Sequence, residues 1–182
     1  TGHYACEDSM LEMALNQGSV MPGYECMDVP CIDKLHRQLS QLTTVKQVVS
    51  ASAQLGKNTV LCECFAGIGN EAGFTGRKRI SDWLSVLGIN AFNPHLTPYS
   101  LRGERKRDYP PALSAHQPYF IHEKSYSDYL ARLSVLMRNS VRKSKILLLQ
   151  PMSTVYSFFK PKYTDKIKEL DKKSITITVN YS

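Results

Sequence analysis

The chain has 182 residues, 42% of them hydrophobic and 21% charged, with a formal net charge of +7. That is enough chain to bury one substantial core, with the composition of a soluble globular protein. Five cysteines, none of them in a Cys-x-x-Cys pair, argue against a zinc site and for buried, reduced thiols.

Residues 1–6 suit a short strand that runs into the polar cluster Glu7-Asp8-Ser9. A second polar cluster, Tyr24-Glu25-Cys26-Met27-Asp28, follows Val20-Met21-Pro22-Gly23 and leads into Val29-Pro30-Cys31-Ile32-Asp33. The flanking prolines and glycines mark both clusters as loops. Thr44-Val45-Lys46-Gln47 has capping-box spacing, and a helix over 45–55 follows, stopped by Gly56.

The stretch 58–74, NTVLCECFAGIGNEAGF, organises the rest. It opens as a strand, carries one carboxylate at Glu63, and breaks into a glycine loop at Gly67 and Gly69. Alternation puts Leu61, Glu63 and Phe65 on one face and Val60, Cys62 and Cys64 on the other. An acid near the carboxyl end of a buried strand is where barrel enzymes place catalytic groups. The plainer alternative is a strand-end acid held by a neighbouring lysine or arginine.

A helix over 75–87 is apolar at Ile80, Trp83, Leu84 and Leu87, and Gly88 ends it. A strand at 89–92 then spills into Asn93-Pro94-His95. Helix, strand and loop in this alternation predict an α/β protein with parallel strands. Residues 101–111, LRGERKRDYPP, form a charged loop whose mixed signs argue for internal ion pairing over a nucleic-acid stripe. The spacing of Tyr129, Leu130, Leu133, Leu136 and Met137 predicts a helix over 125–140. Residues 145–150 read as a fully apolar strand, after which composition shifts to Lys, Ser and Thr. A domain boundary near Arg142 divides the chain into 1–142 and 143–182.

No signal peptide and no apolar run of about 18 residues is visible, which favours a cytoplasmic protein with no membrane partner. The opening TGHYACEDSM lacks a methionine and reads like the interior of a larger protein.

FAGIG after a hydrophobic strand resembles the cofactor loop of S-adenosylmethionine-dependent methyltransferases, particularly the DNA cytosine-5 class. That class also has a Pro-Cys nucleophile, matched in letters by Pro30-Cys31. Here Pro-Cys precedes the glycine loop, whereas in that class it follows, and the acid expected after the next strand is missing. A methyltransferase-like domain is therefore the alternative reading.

Three blocks carry a second resemblance: TGHYACEDSM, MPGYECMDVPCID, and VLCECFAG with NAFNPHLTPYSLRGERKRDYPP. They resemble bacterial glycoside hydrolases with a TIM-barrel catalytic domain, in the grouping around the α-L-rhamnosidases of glycoside hydrolase family 106. The resemblance runs from residue 1 to about 151. It implies the C-terminal half of a (β/α)8 TIM barrel, followed by the start of a Rossmann-like or glutamine-amidotransferase-like α/β domain at 145–150. It implies a carbohydrate substrate, an α-L-rhamnoside being one candidate, with Glu63 as catalytic acid or base. Its partner carboxylate is left open between Glu7, in the strand-end block, Glu25, in the block that follows, and a residue outside this chain. Two carboxylates are needed because one protonates the leaving oxygen while the other activates water or attacks carbon. His3, Glu25, His95, Tyr99 and Arg102 match positions that would line the sugar pocket. The resemblance further implies a calcium-assisted inverting mechanism, although the residues themselves identify no metal ligands or other cofactor. Asn70 stands where an aromatic sugar-stacking residue is expected, which leaves an inactive carbohydrate-binding relic as a third reading.

Overall fold

Four short runs of strand-forming residues pair into one sheet: β1 (Gly2–His3), β2 (Pro30–Lys34), β3 (Leu61–Cys64) and β4 (Ala91–Pro94). In this computed structural model residues 2–4, 7–158 and 165 are described. The rest of the expected strand at 1–6, the lysine-rich tail and the final TITVNYS lie outside them. The helices are α1 (Met10–Asn16), α2 (Thr43–Gln54), α3 (Phe74–Leu87), α4 (Glu123–Arg138) and α5 (Met152–Phe158).

The strands are all parallel and stand in sequence order, β1-β2-β3-β4. Right-handed crossovers between such neighbours bring the connecting helices to one face, and α2 packs on both β2 and α3. Ile32, Cys62 and Cys64 enter the core with Val45, Val48, Ile80 and Leu84. Burial alternates accordingly along β3, where Cys62 and Cys64 are buried and Leu61 and Glu63 half-buried.

The expected half TIM barrel is corrected here. Among the described residues β1 and β4 are the two edges of an open sheet, and no pairing closes one on the other. Helix-strand alternation is common to every parallel sheet. Closure depends on strand number, tilt and stagger, none of which is written in local periodicity. The expected Rossmann-like or glutamine-amidotransferase-like continuation is corrected as well. Residues 145–150 form no strand, and Leu147 and Leu149 are 88% and 84% exposed. A run of leucines is a strand only where a sheet edge receives it. Here the chain passes on to α5, which packs against α1 with Met152 and Val155 buried.

Local signals were met in part. Gly56 (φ +67) ends α2, with Lys57 N–H donating to the Ser52 carbonyl at 2.8 Å. The capping box does not form: Leu42 is the N-cap, while the Thr44 hydroxyl bonds Asp8 and the Gln47 amide donates to the Glu7 carbonyl at 3.2 Å. Both side chains are recruited by the loop after β1. The β4 strand begins two residues later than expected because Asn90 is a buried connector. Its Oδ1 accepts from Val60 N–H at 2.9 Å and its Nδ2 donates to the Asn58 carbonyl at 2.8 Å.

Candidate active site

Register places a row of polar side chains across the sheet. Asp33 on β2 is the partner of Glu63 on β3, and Glu63 is the partner of Asn93 on β4. Register partners on neighbouring strands share a face and lie about 4.8 Å apart in the backbone. This is the face opposite Cys62 and Cys64, at the carboxyl ends of the strands. Asp33 and Glu63 are half-buried and Asn93 is exposed.

Glu7, just beyond β1, is 3% exposed. Burial pushes its carboxyl up to about 7, with the charges of Asp8 and Asp33 adding to the rise. Hydrogen bonds from the backbone N–H groups of Glu7 itself and of Asp33 pull the other way. Its Oε1 and the hydroxyl of Tyr24 are buried without a hydrogen-bond partner among the described residues. Burial raises the Tyr24 phenol, and the Glu7 charge raises it further. Cys31, in the same neighbourhood, is pushed up to about 11 by burial. The outcome is a carboxyl that still carries its proton about half of the time at neutral pH, beside Asp33, which is in register with Glu63.

Loops close over this end of the sheet. After β3 the backbone turns sharply, with Phe65 (φ +77), Gly67 (φ +67) and Gly69 (φ +88) all left-handed. A Cβ at Gly67 would lie 2.8 Å from the His36 ring, so glycine permits the loop after β2 to rest on the loop after β3. Arg37 fixes that contact, its Nε donating to the Ile68 carbonyl at 2.8 Å and its guanidinium pairing with Glu71. On the other side the N–H groups of Ile68 and Gly69 both donate to the Pro110 carbonyl, at 3.1 and 3.3 Å. These amides are committed within the protein, which argues against the cofactor-cradling use that a methyltransferase would make of them. Asn70, in the place of the expected aromatic, accepts from Gln117 Nε2 at 3.0 Å and ties the two loops together.

The sequence-derived site residues separate into groups. Glu63 and Glu7 come to one end of the sheet. His95 joins them there, its N–H donating to the Cys64 carbonyl at 2.8 Å and its ring edge-on to Tyr109 at 5.8 Å. His3 lies on β1 in register with Cys31. Tyr99 and Arg102 are exposed on the loop after β4. Glu25 is elsewhere. It is exposed on the short 3-10 helix Met21–Cys26 that leads into β2, and its carbonyl accepts from Lys57, which leads into β3, so it lies at the amino ends of the strands. Asp33, Asn93 and His36, which also stand at this end of the sheet, are not among the residues expected from sequence. Asp33 had a usable signal, since Cys31-Ile32-Asp33 repeats the alternation and strand-end position of Leu61-Cys62-Glu63.

Among the described residues no group of three or more His, Cys, Asp or Glu side chains is arranged to hold a metal ion. The calcium implied by the resemblance therefore finds no such ligand set here. The four described cysteines, Cys26, Cys31, Cys62 and Cys64, are free. No helix among the described residues is long and apolar enough to cross a membrane.

No protein-family model matches the chain, and no curated protein matches it. A rhamnosidase from Novosphingobium sp. PP1Y contains a region of similar fold, with a TM-score of 0.56 and 19% sequence identity. The match covers 65% of this chain and 12% of that one. The likeness is one of fold, to part of a glycoside hydrolase.

Proposed function

We propose that this site hydrolyses a glycosidic bond by carboxylate acid/base catalysis. The observation that carries the reading is the convergence of Glu7, Asp33 and Glu63 at the ends of successive parallel strands. Glycoside hydrolysis calls for two carboxyl groups in different protonation states. Glu7, raised to about 7 and so partly protonated at neutral pH, suits the acid that protonates the leaving oxygen. Glu63, more open to solvent, suits the carboxylate that activates water or attacks the sugar carbon. Asp33 positions the pair, its N–H bonding Glu7 and its charge opposing Glu7 ionisation. An α-L-rhamnoside is the first substrate to try, since a solved protein with a region of similar fold is a rhamnosidase.

The test is hydrolysis of a panel of nitrophenyl glycosides, with nitrophenyl α-L-rhamnoside included. Glu63→Gln keeps size and hydrogen bonding but removes the charge. It should lower kcat by roughly 10²–10⁴-fold while the melting temperature stays nearly constant. Near-normal turnover in that variant, or a loss explained by unfolding, overturns the assignment.

A further inference from the structure

We infer that the saccharide taken by this site bears acid groups, carboxylate or sulfate, bound by the loop after β4. The inference rests on the saccharide reading above and narrows its substrate class. Residues Gly103–Arg107 form an exposed 3-10 helix whose last turn is Arg105-Lys106-Arg107. Arg102, Arg105 and Lys106 make no ion pair among the described residues. Arg107 reaches Glu104 at 3.9 Å, with the Glu104 side chain 92% exposed. A pair so exposed holds neither partner firmly. The internal pairing expected from the mixed signs of this loop is thus mostly absent, and its cations are available.

Their position is fixed. The proline pair that closes the loop is tied to the glycine turn after β3 through the Pro110 carbonyl, and Leu113 N–H donates to the Leu96 carbonyl at 3.0 Å. The basic turn is thereby held at the strand ends that carry Glu63, where Arg105 and Lys106 stand with Asn70, Leu96 and Asp108 around a cavity of about 10 Å³. That is too small for a sugar, so the ligand lies across the exposed basic surface, with Asp108 the one acid at the cavity's edge. Arg presents a planar fork that grips a carboxylate or sulfate with two N–H groups, and Lys adds a point charge. Tyr99, 99% exposed and three residues before Arg102, offers an apolar ring face on which a sugar can stack. The carboxylates Asp33 and Glu63 would repel an anion at the reacting ring. The acid group therefore belongs to a neighbouring sugar unit, over the basic rim.

Equilibrium binding to four probes tests this: an oligogalacturonate, a sulfated dextran oligomer, a neutral dextran oligomer and a single-stranded DNA oligomer, each at low and at physiological salt. Either acidic saccharide should bind at least about tenfold more tightly than the neutral one, a margin within the range of charge-assisted hydrogen bonds. The stronger of the two identifies the group. Arg105→Ala with Lys106→Ala should abolish the preference with an unchanged melting temperature, both side chains being exposed. Equal affinity for neutral and acidic saccharides, or an unaffected double variant, overturns the inference. DNA binding as tight as that of the acidic saccharides overturns it too, by exposing a general polyanion surface. Glu63→Gln should retain the acidic preference. Selective binding without hydrolysis would refute the hydrolase reading and leave this one standing.

Discussion

Glu7 is the residue whose chemistry depends most on the fold. An unfolded chain would give it the ordinary carboxyl value of 4.5, whereas burial raises it to about 7. Between those two values the folded state binds more protons than the unfolded state. Stability from this group is therefore fully present below about pH 4.5, declines as pH rises through the window, and levels off above pH 7. A shift of that size corresponds to roughly 3 kcal/mol. Thermal melts across the window should show the decline in the parent protein. Glu7→Gln, which cannot ionise, should flatten it and be the more stable form at pH 8. A parent profile that is flat or rises with pH would mean that Glu7 is solvated. It would then be unsuited to hold a proton for the leaving oxygen. The same residue shows what a single sequence conceals: Glu7 and Asp33 are 26 positions apart, and only the pairing of β1 with β2 brings them together.

At the level of elements, β3, α3 and α4 were legible because each carries its own signal: a β-branched and apolar run, a 3.6-residue stripe, a glycine stop. Gly88 shows how specific such a stop is. It sits at φ +118, and a Cβ there would lie 2.5 Å from Val49 Cγ1 of α2. Gly88→Ala should therefore cost at least about 1 kcal/mol from backbone handedness alone, measured by denaturant unfolding, and more if Val49 cannot move aside. What joins α3 to α4 carried no signal in the sequence. Arg77 is wholly buried, its guanidinium bonded to Glu123 at 2.7 and 2.6 Å and facing the rings of Tyr126 and Phe74 at 4.6 and 4.9 Å. Burial alone would lower its affinity for a proton, but the Glu123 carboxylate offsets this and leaves it raised. Glu123→Gln should be the harsher substitution, costing roughly 3–5 kcal/mol, because it strands a buried cation. Arg77→Met leaves Glu123, whose side chain is 19% exposed, able to find water, and fills the aromatic cage with an apolar chain. If the two variants prove equally stable, or if Arg77→Met is the worse, the guanidinium is solvated through an opening between the helices.

For the molecule as a whole, organisation turns on the region after α4. The change in composition near Arg142 suggests a boundary, and residues 141–150 run without regular structure, with Val141 84% exposed. Yet the chain then returns to its beginning. Val155 of α5 is fully buried, Gln150 Nε2 donates to Gln47 Oε1 at 2.7 Å, and the Tyr156 hydroxyl accepts from Ser19 N–H. These contacts join α5 to α1 and α2 rather than to a separate core. Limited trypsin digestion of the native protein distinguishes the alternatives. Cleavage should begin in the exposed segment, after Arg142, Lys143 or Lys145, since protease access follows exposed and weakly bonded backbone. The nicked chain should nevertheless stay associated on a sizing column and separate only in denaturant, because burial of Met152 and Val155 holds α5 in place. Release of the C-terminal piece under native conditions would instead favour two independent units divided near residue 142. In that outcome α5 contributes little to the core, and Tyr156→Phe should leave stability unchanged. If the pieces remain together, the same substitution should lower the unfolding free energy by roughly 1 kcal/mol, the net worth of the lost hydrogen bond to Ser19.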